Sequence, residues 1–382
     1  MWNRLVEKTL RTLLQSRVKN RPPRPFELAD MDRVKRILLM TTTAIGDTLF
    51  STPAIRAVKE MYPEKEVDVL CHIRNGLLLQ ENPYVNRLFF FRGKARKIFP
   101  LLKSLKEQRY DLVIILHGND PESVPLAWGT KAPFIIGSGT SRFAFLLSQG
   151  VICTDEKRHA IERRLDLVRV IGADTGNKKM ALFLPADWGK KAEQILHTEF
   201  KDAAGPLVGL HPTGSGGYKW WPAEHFAALG GKIADQYQAR FIIFCSRAEA
   251  SVARTIASRI GAPVLLVEGR YNLLEAAALM KKCNLFIAND SGPLHMALAL
   301  GVPSIALIGA DSPLRIGPYQ AENAAYLYRK DQVCDVRRCL NERCPDNRCM
   351  KEILPQEVFD MVSDRFLKYL VGGPAGFDSE RE

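Results

Sequence analysis

From residue 36 onward, short runs of continuous apolar residues recur along the chain, separated by longer stretches in which apolar positions return at helical spacing. The runs that predict strands in the first half are Arg36 to Met40, Val67 to Leu70, Leu88 to Phe91, Leu112 to Leu116 and Phe134 to Ile136. In the second half they are Leu207 to Leu210, Phe241 to Phe244, Val264 to Val267, Leu285 to Ala288 and Ser304 to Ile308. These runs are apolar throughout rather than at every second position, which fits strands covered on both faces by helices. Two consecutive parallel α/β sheets follow. The join falls near Leu184-Pro185-Ala186-Asp187, with a connecting helix to about Phe200 and a Gly205-Pro206 break before the second sheet. The expected fold class is α/β, with two Rossmann-like, doubly wound domains over residues 33–185 and 186–372. They are expected to face one another across a cleft at the carboxyl ends of their strands, where open sheets bind ligands.

Residues 1–32 have a different pattern. Leu5, Val6, Leu10, Leu13, Leu14 and Val18 recur at roughly helical spacing behind Trp2, and Pro22-Pro23-Arg24-Pro25 ends the segment. Within residues 1–25, Arg4, Lys8, Arg11, Arg17, Lys19, Arg21 and Arg24 stand against Glu7 alone, so much of the net charge of +12 is local. A basic amphipathic helix of this kind can lie on an anionic leaflet or pack on the protein's own surface, and composition leaves both open. Charged residues interrupt the apolar positions, so neither a signal peptide nor a membrane span is expected; the expectation is a cytosolic protein. Residues 373–382 are expected to form a flexible tail. Cys71, Cys153, Cys245 and Cys283 lie near apolar segments as packed thiols. Cys334, Cys339, Cys344 and Cys349 form a C-x4-C run without the C-x2-C pairs of common zinc sites. Structural thiols are expected there, with a bound metal or disulfides as the alternatives.

The chemistry is expected in the loops. The run Leu285 to Ala288 breaks into Asn289-Asp290-Ser291-Gly292-Pro293-Leu294-His295, a polar, Gly-containing turn opening a helix. The free N–H groups and positive end of such a helix suit a phosphate or diphosphate, although Asp, Ser and Gly also serve there as plain caps. After Leu210 comes His211-Pro212-Thr213-Gly214-Ser215-Gly216-Gly217-Tyr218-Lys219-Trp220-Trp221-Pro222. Its glycines, hydroxyls and Lys219 are the parts of an anion site, but it lacks the G-K-[ST] ending of an ATP-hydrolysing loop. The first strand runs into Thr43-Ala44-Ile45-Gly46-Asp47, which is not the dinucleotide fingerprint. Asp47 is either a helix N-cap or a carboxylate presented to a ligand beside Gly46. Glu249, beyond Phe241 to Phe244, is either a ribose-binding acid or a surface residue at a helix start.

Together the Ile45-Gly46-Asp47 loop with Thr52-Pro53-Ala54, the His211-Pro212 to Lys219-Trp220-Trp221-Pro222 segment, and Asn289-Asp290-Ser291-Gly292-Pro293 with His295 resemble glycosyltransferase family 9, the ADP-heptose:lipopolysaccharide heptosyltransferases. Tyr110-Asp111-Leu112-Val113-Ile114 and His159 through Leu167, followed by Gly172, support the resemblance, which spans about residues 35 to 370. It implies a GT-B fold with an N-terminal acceptor domain and a C-terminal nucleotide-sugar domain. It implies inversion at the anomeric carbon without a metal or other cofactor, with Asp47 as general base and Thr43, Gly46 and His117 on the acceptor side. It places Thr213, Ser215, Lys219, Glu249, Asp290, Ser291, Gly292 and His295 around the donor. The implied partners are ADP-heptose or a similar nucleotide sugar and a lipid-linked saccharide acceptor at the inner-membrane surface, with the protein a monomer. One departure concerns the acceptor: the first strand ends Met40-Thr41-Thr42, where lipopolysaccharide-core enzymes commonly carry a basic residue.

Other readings compete with this one. The same fold can use another nucleotide sugar or a non-lipid acceptor, since loops set specificity. A non-catalytic sugar-nucleotide binder is opposed by the presence of Asp47, Lys219 and Asp290 together. Nucleic-acid binding draws only on the positive charge, with no helix-turn-helix, RNP or zinc-finger pattern behind it.

Overall fold

The computed structural model describes residues 4–19, 22–93, 95–117, 121–201, 203–334, 339, 344 and 346–371. Trp2, most of the segment between Cys334 and Cys349, and the expected tail lie outside the described residues. The chain divides into two compact units, Met1–Phe183 and Leu184–Glu382.

The first unit holds β1 (Arg36–Thr41), β2 (Glu66–His72), β3 (Arg87–Phe91), β4 (Leu112–Ile115), β5 (Phe134–Ser138) and β6 (Gln149–Val151), all parallel, in the order β3-β2-β1-β4-β5-β6. The second holds β7 (Leu207–His211), β8 (Arg240–Ile243), β9 (Val264–Leu266), β10 (Leu285–Asn289), β11 (Ser304–Ile308) and β12 (Ala324–Tyr328), also parallel, in the order β12-β11-β10-β7-β8-β9. Both orders are the doubly wound pattern in which the chain starts mid-sheet, winds to one edge, and returns to wind to the other. The strand order therefore reverses between β1 and β4, and again between β7 and β10.

The central strands β1, β4, β7 and β10 are buried along nearly their whole length, as their unbroken apolar character demands. The edge strands β6 and β12 are the two that the hydrophobic pattern does not reveal. β6 has three residues, of which Gln149 and Gly150 are exposed, and β12 carries the exposed Tyr326 at its centre. An edge strand covered on one face has no need of a continuous apolar run. At the start of the second unit the Trp188–Phe200 helix precedes Gly205, whose φ of +97° and approach to the Gln238 carbonyl, 2.2 Å from where a Cβ would stand, exclude any other residue.

The N-terminal segment is built into the first unit. The Arg4–Lys19 helix lays Leu10, Leu14 and Val18 against the core that contains Val124, Ala127, Phe143 and Leu146, and Glu7 pairs with Arg142 at 2.9 Å. Lys8, Arg11, Arg17 and Lys19 point outward. Of the two arrangements open to an amphipathic helix, packing on the protein's own surface is the one observed. Beyond the prolines, Phe26 meets Phe134 edge-on and Arg24 pairs with the buried Asp30 at 2.6 Å. Among the described residues no helix is long and apolar enough to cross a membrane.

Because Leu14 is 4% exposed and Leu13 is 55% exposed on the same helix, the two positions make a paired test. Leu14→Ala should lower the unfolding free energy by about 2 kcal/mol, the low end for a buried leucine, and Leu13→Ala should stay within about 0.5 kcal/mol. Urea denaturation of both variants checks this; equal effects would mean that the helix is not docked.

Candidate active site

Apart from Glu249, which follows β8, the site residues singled out in the sequence lie after the strands where strand order reverses, the places at which open α/β sheets bind ligands. In the first unit they follow β1 and β4. The chain leaves β1 through Thr42 and Thr43 and enters the Ile45–Phe50 helix, whose N-cap is Ala44. Asp47 is thus in the first helical turn, and the N-cap role open to it in the sequence is not its role. Gly46 is the second residue of this helix and has no positive φ, so its contribution is a missing side chain rather than an unusual backbone. The loop is held by Asn75, whose amide donates to the Thr43 carbonyl at 2.7 Å and the Thr48 hydroxyl at 3.0 Å.

The Asp47 carboxylate, 31% exposed, takes a 2.6 Å bond on Oδ1 from Nη2 of Arg164, a buried side chain of the Ala160–Arg169 helix. Burial works to raise the Asp47 pKa. The Arg164 charge, the Thr43 hydroxyl and nearby His117 outweigh it and hold the carboxyl below its usual range. His117, just past β4, is itself buried and accepts the Thr42 N–H on Nε2 at 3.1 Å, with the Thr42 hydroxyl 3.0 Å from the same nitrogen. Thr43, Gly46, Asp47 and His117 are therefore one cluster.

Arg164 escapes the sequence reading, although a signal exists. Ile161, Leu165 and Val168 form the buried stripe of its helix, and Arg164 lies on that stripe. A charged residue among core positions of a helix needs a partner, and here the partner is Asp47. The helix is capped by His159, whose Nδ1 accepts the Ile161 N–H at 3.2 Å and whose ring meets Phe50 edge-on.

In the second unit the cluster follows β7 and β10. Asp290 is buried at the end of β10, with Lys219 Nζ 2.5 Å from Oδ2 and His295 Nε2 3.7 Å from Oδ1. Burial pushes its pKa up, but His295 and Lys219 prevail and bring it to about 2. The Lys219 ammonium, opposed by burial, is raised above its ordinary value by Asp290. Asn289 ties the two loops together, donating to the Pro212 carbonyl at 2.7 Å and accepting the Trp221 N–H at 3.1 Å. The paired tryptophans are anchors, with Trp220 Nε1 on the Gly214 carbonyl at 3.1 Å and Trp221 Nε1 on the Ile353 carbonyl at 2.8 Å.

Ser291 occupies the N-cap position of the Gly292–Ala299 helix, but its hydroxyl does not cap it; Ser291 Oγ is buried without a partner among the described residues. Pro293 stands second in that helix, after Gly292. Thr213 is fully buried at the end of β7, where its hydroxyl lies 3.5 Å from His211 Nε2; His211 Nδ1 donates to the Phe244 carbonyl at 2.8 Å. Glu249 accepts the Ser246 N–H at 2.8 Å and hydroxyl at 2.6 Å, the local capping arrangement. Burial raises its pKa; Ser246, the Thr213 hydroxyl and His211 reverse that and lower it, so Glu249 belongs with Thr213 as well as with its own turn. Ser215 is exposed on the loop, away from the buried pair.

A bound metal was an alternative for the C-x4-C run. Of the C-x4-C run, Cys349 is buried, and burial together with the three neighbouring thiols pushes its pKa to about 11. Among the described residues no cluster of three or more His, Cys, Asp or Glu is arranged to hold a metal ion.

Two parallel six-strand sheets, each with an ionised, cation-paired aspartate at its reversal point, define a doubly wound α/β protein with one charged cluster in each unit. Residues 98–344 match the profile of glycosyltransferase family 9 (heptosyltransferase), and the chain belongs to that family. It is 26% identical over 305 residues to the lipopolysaccharide core heptosyltransferase OpsX of Haemophilus influenzae, covering 78% of this chain and 86% of that one. Among solved structures it is similar to a family 9 glycosyltransferase from Veillonella parvula, with a TM-score of 0.76 and 23% identity over 87% of this chain and 97% of that one. It is also similar to the Escherichia coli ADP-heptose lps heptosyltransferase II, with a TM-score of 0.70 and 22% identity over 87% and 99%. The protein is a glycosyltransferase with the GT-B type of fold.

The Asp290 pair has a pH consequence. Its pKa is about 2 in the folded chain against an ordinary 3.8, so its contribution is complete above pH 4 and is lost as pH falls through 2. That contribution is on the order of 2 kcal/mol. Asp290→Asn should be less stable at neutral pH by on the order of 3 kcal/mol, because Lys219 is left buried and unpaired, and should lack this part of the acid dependence. Melting temperatures from pH 7 to pH 2 check both; parallel curves for the two proteins would contradict the assignment.

Proposed function

We propose that this enzyme transfers a heptose from ADP-heptose to a lipopolysaccharide-core-type acceptor, with inversion and without a metal. In the proposed step an acceptor hydroxyl oxygen bonds to the anomeric carbon as the bond from that carbon to the diphosphate breaks. The hydroxyl proton passes to Asp47 and ADP departs. Inversion needs one base and a sink for leaving-group charge. The observation that carries the reading is Asp47, a carboxylate kept ionised and one-third exposed at the reversal point of the first sheet. In the second unit Lys219, His295, the Ser291 hydroxyl and the start of the Gly292–Ala299 helix are the donors assigned to the diphosphate. Thr213 and Glu249 are assigned to the nucleoside, with Ser215 as a flanking hydroxyl, and Thr43, Gly46 and His117 to the acceptor. The names of the similar heptosyltransferases support ADP-heptose as donor and lipopolysaccharide as acceptor.

The outward cations of the Arg4–Lys19 helix support contact with the anionic inner-membrane surface, where a lipid-linked acceptor resides. A second reading, in which the acceptor is not an inner-core saccharide, is favoured by one observation. Thr41 and Thr42 are buried, and Thr42 is spent on His117 and on Ser123 at 3.2 Å, so the strand end offers no cation to an anionic acceptor.

Asp47→Asn tests the reaction. Asn keeps the size and can still accept a bond from Arg164, but it cannot take a proton from the acceptor. Turnover of ADP-heptose with a heptose-free lipopolysaccharide precursor should fall by about a hundredfold or more, the usual scale of a general base. ADP affinity by calorimetry should stay within about twofold, because ADP is assigned to the other unit. Near-normal turnover would remove the base assignment.

A further inference from the structure

The grip on Asp47 is more specific than a charge pair. Arg164 sends Nη2 to Asp47 Oδ1 at 2.6 Å, Nε to the Ser51 hydroxyl at 3.1 Å and Nη1 to the Ala160 carbonyl at 2.8 Å, while its guanidinium lies 5.5 Å from the Phe50 ring centre. Ser51 Oγ in turn donates to the backbone carbonyl of Asp47 at 2.8 Å and lies 3.2 Å from the Thr41 hydroxyl at the end of β1. One buried guanidinium thus holds Asp47 by its side chain directly and by its main chain through Ser51. Removing an arginine from water is costly and is tolerated where its donors are met, as they are here. Arg164 meets the carboxylate at Oδ1.

We propose that Arg164 is the positioning residue of the Asp47 base: it fixes Oδ1 so that Oδ2 is the oxygen presented to the acceptor hydroxyl, and it sets the acid limit of the activity. The proposal rests on the reading of Asp47 as the base. The sign follows from charge. A cation beside a carboxylate favours its ionised form, so removing Arg164 leaves burial unopposed by it and makes Asp47 take up a proton at higher pH. The charged or titratable groups facing the pair are His117, from the segment after β4, and Arg163, beside Arg164 on the same helix. Both stay in every variant below, so their part in a pH profile is constant. Arg164 also limits how long Asp47 keeps the proton it takes. A neutral Asp47 leaves a buried cation without its counter-charge, and the partial exposure of the carboxyl gives the proton a route to solvent.

The test is kcat and KM for ADP-heptose with the heptose-free lipopolysaccharide precursor, from pH 4 to pH 9, for four chains. Arg164→Met should lower kcat about tenfold or more, leave KM for ADP-heptose within about twofold, and move the acidic limb of kcat/KM up by about one pH unit. Arg164→Lys keeps the charge but loses the planar fork to Ser51 and Ala160, so kcat should fall while the acidic limb stays near that of the parent. If Arg164→Met does not fold, as its melting temperature will tell, the Lys variant still decides. Parental kcat in that variant overturns the positioning role. The double variant Asp47→Asn with Arg164→Met should be no slower than Asp47→Asn alone, because Arg164 acts through Asp47. An unmoved limb in Arg164→Met, or a further rate loss in the double variant, overturns the proposal. Loss of turnover in Asp47→Asn with either of those results sinks the Arg164 proposal alone, whereas full turnover in Asp47→Asn sinks the base reading itself.

Discussion

A carboxylate that stays ionised when taken from water needs a cation or hydrogen-bond donors beside it, and much of the local architecture in both units follows from meeting one such demand. In the first unit Asp47 is met by Arg164, which requires the Ala160–Arg169 helix to turn a charged residue toward its own core stripe. In the second, Asp290 is met by Lys219 and His295, which requires the long glycine-containing loop after β7 to return over β10. Asn289 and the two tryptophans fasten that return through backbone carbonyls, so the loop that carries Lys219 is anchored. Both pairs stand where the strand order reverses, since there neighbouring loops leave in opposite directions and expose the strand ends.

The two pairs are alike in charge and unlike in chemistry. Arg164 is itself a buried, rigid fork with a second hold on its partner through Ser51, which suits a group that must be aimed. Lys219 is a point charge held by Asp290 at 2.5 Å, and the proposed donor role asks it to turn from there toward a phosphate oxygen. An arginine where orientation matters and a lysine where exchange matters is what the proposed division between acceptor and donor chemistry asks for.

The buried strands and the loops at their ends were legible because a strand covered on both faces must be apolar throughout and must stop where polar residues begin. β6 and β12 were not: β6 is three residues long with Gln149 and Gly150 exposed, and β12 exposes Tyr326 at its centre. The Asp290 turn was legible from neighbouring residues alone. The Asp47–Arg164 pair was not, because its members are 117 positions apart and nothing local links them. Local reading also left Asp47 between cap and ligand group, and only the position of Ala44 at the helix start separates these roles. Glu249 closes its own capping turn, the alternative of a residue at a helix start, and the Thr213 hydroxyl acts on the same carboxyl.

The docking of the N-terminal helix has a bearing on how the chain is made. The Arg4–Lys19 stripe rests on the segment around Phe143 and Leu146, more than a hundred residues further along. At ribosomal speeds that interval lasts on the order of ten seconds, during which a basic, amphipathic helix has emerged and has nothing of its own to cover its apolar side. For that time Leu10, Leu14 and Val18 have no Phe143 or Leu146 to rest on, and the like charge of Lys8, Arg11, Arg17 and Lys19 is a source of repulsion between neighbouring nascent chains.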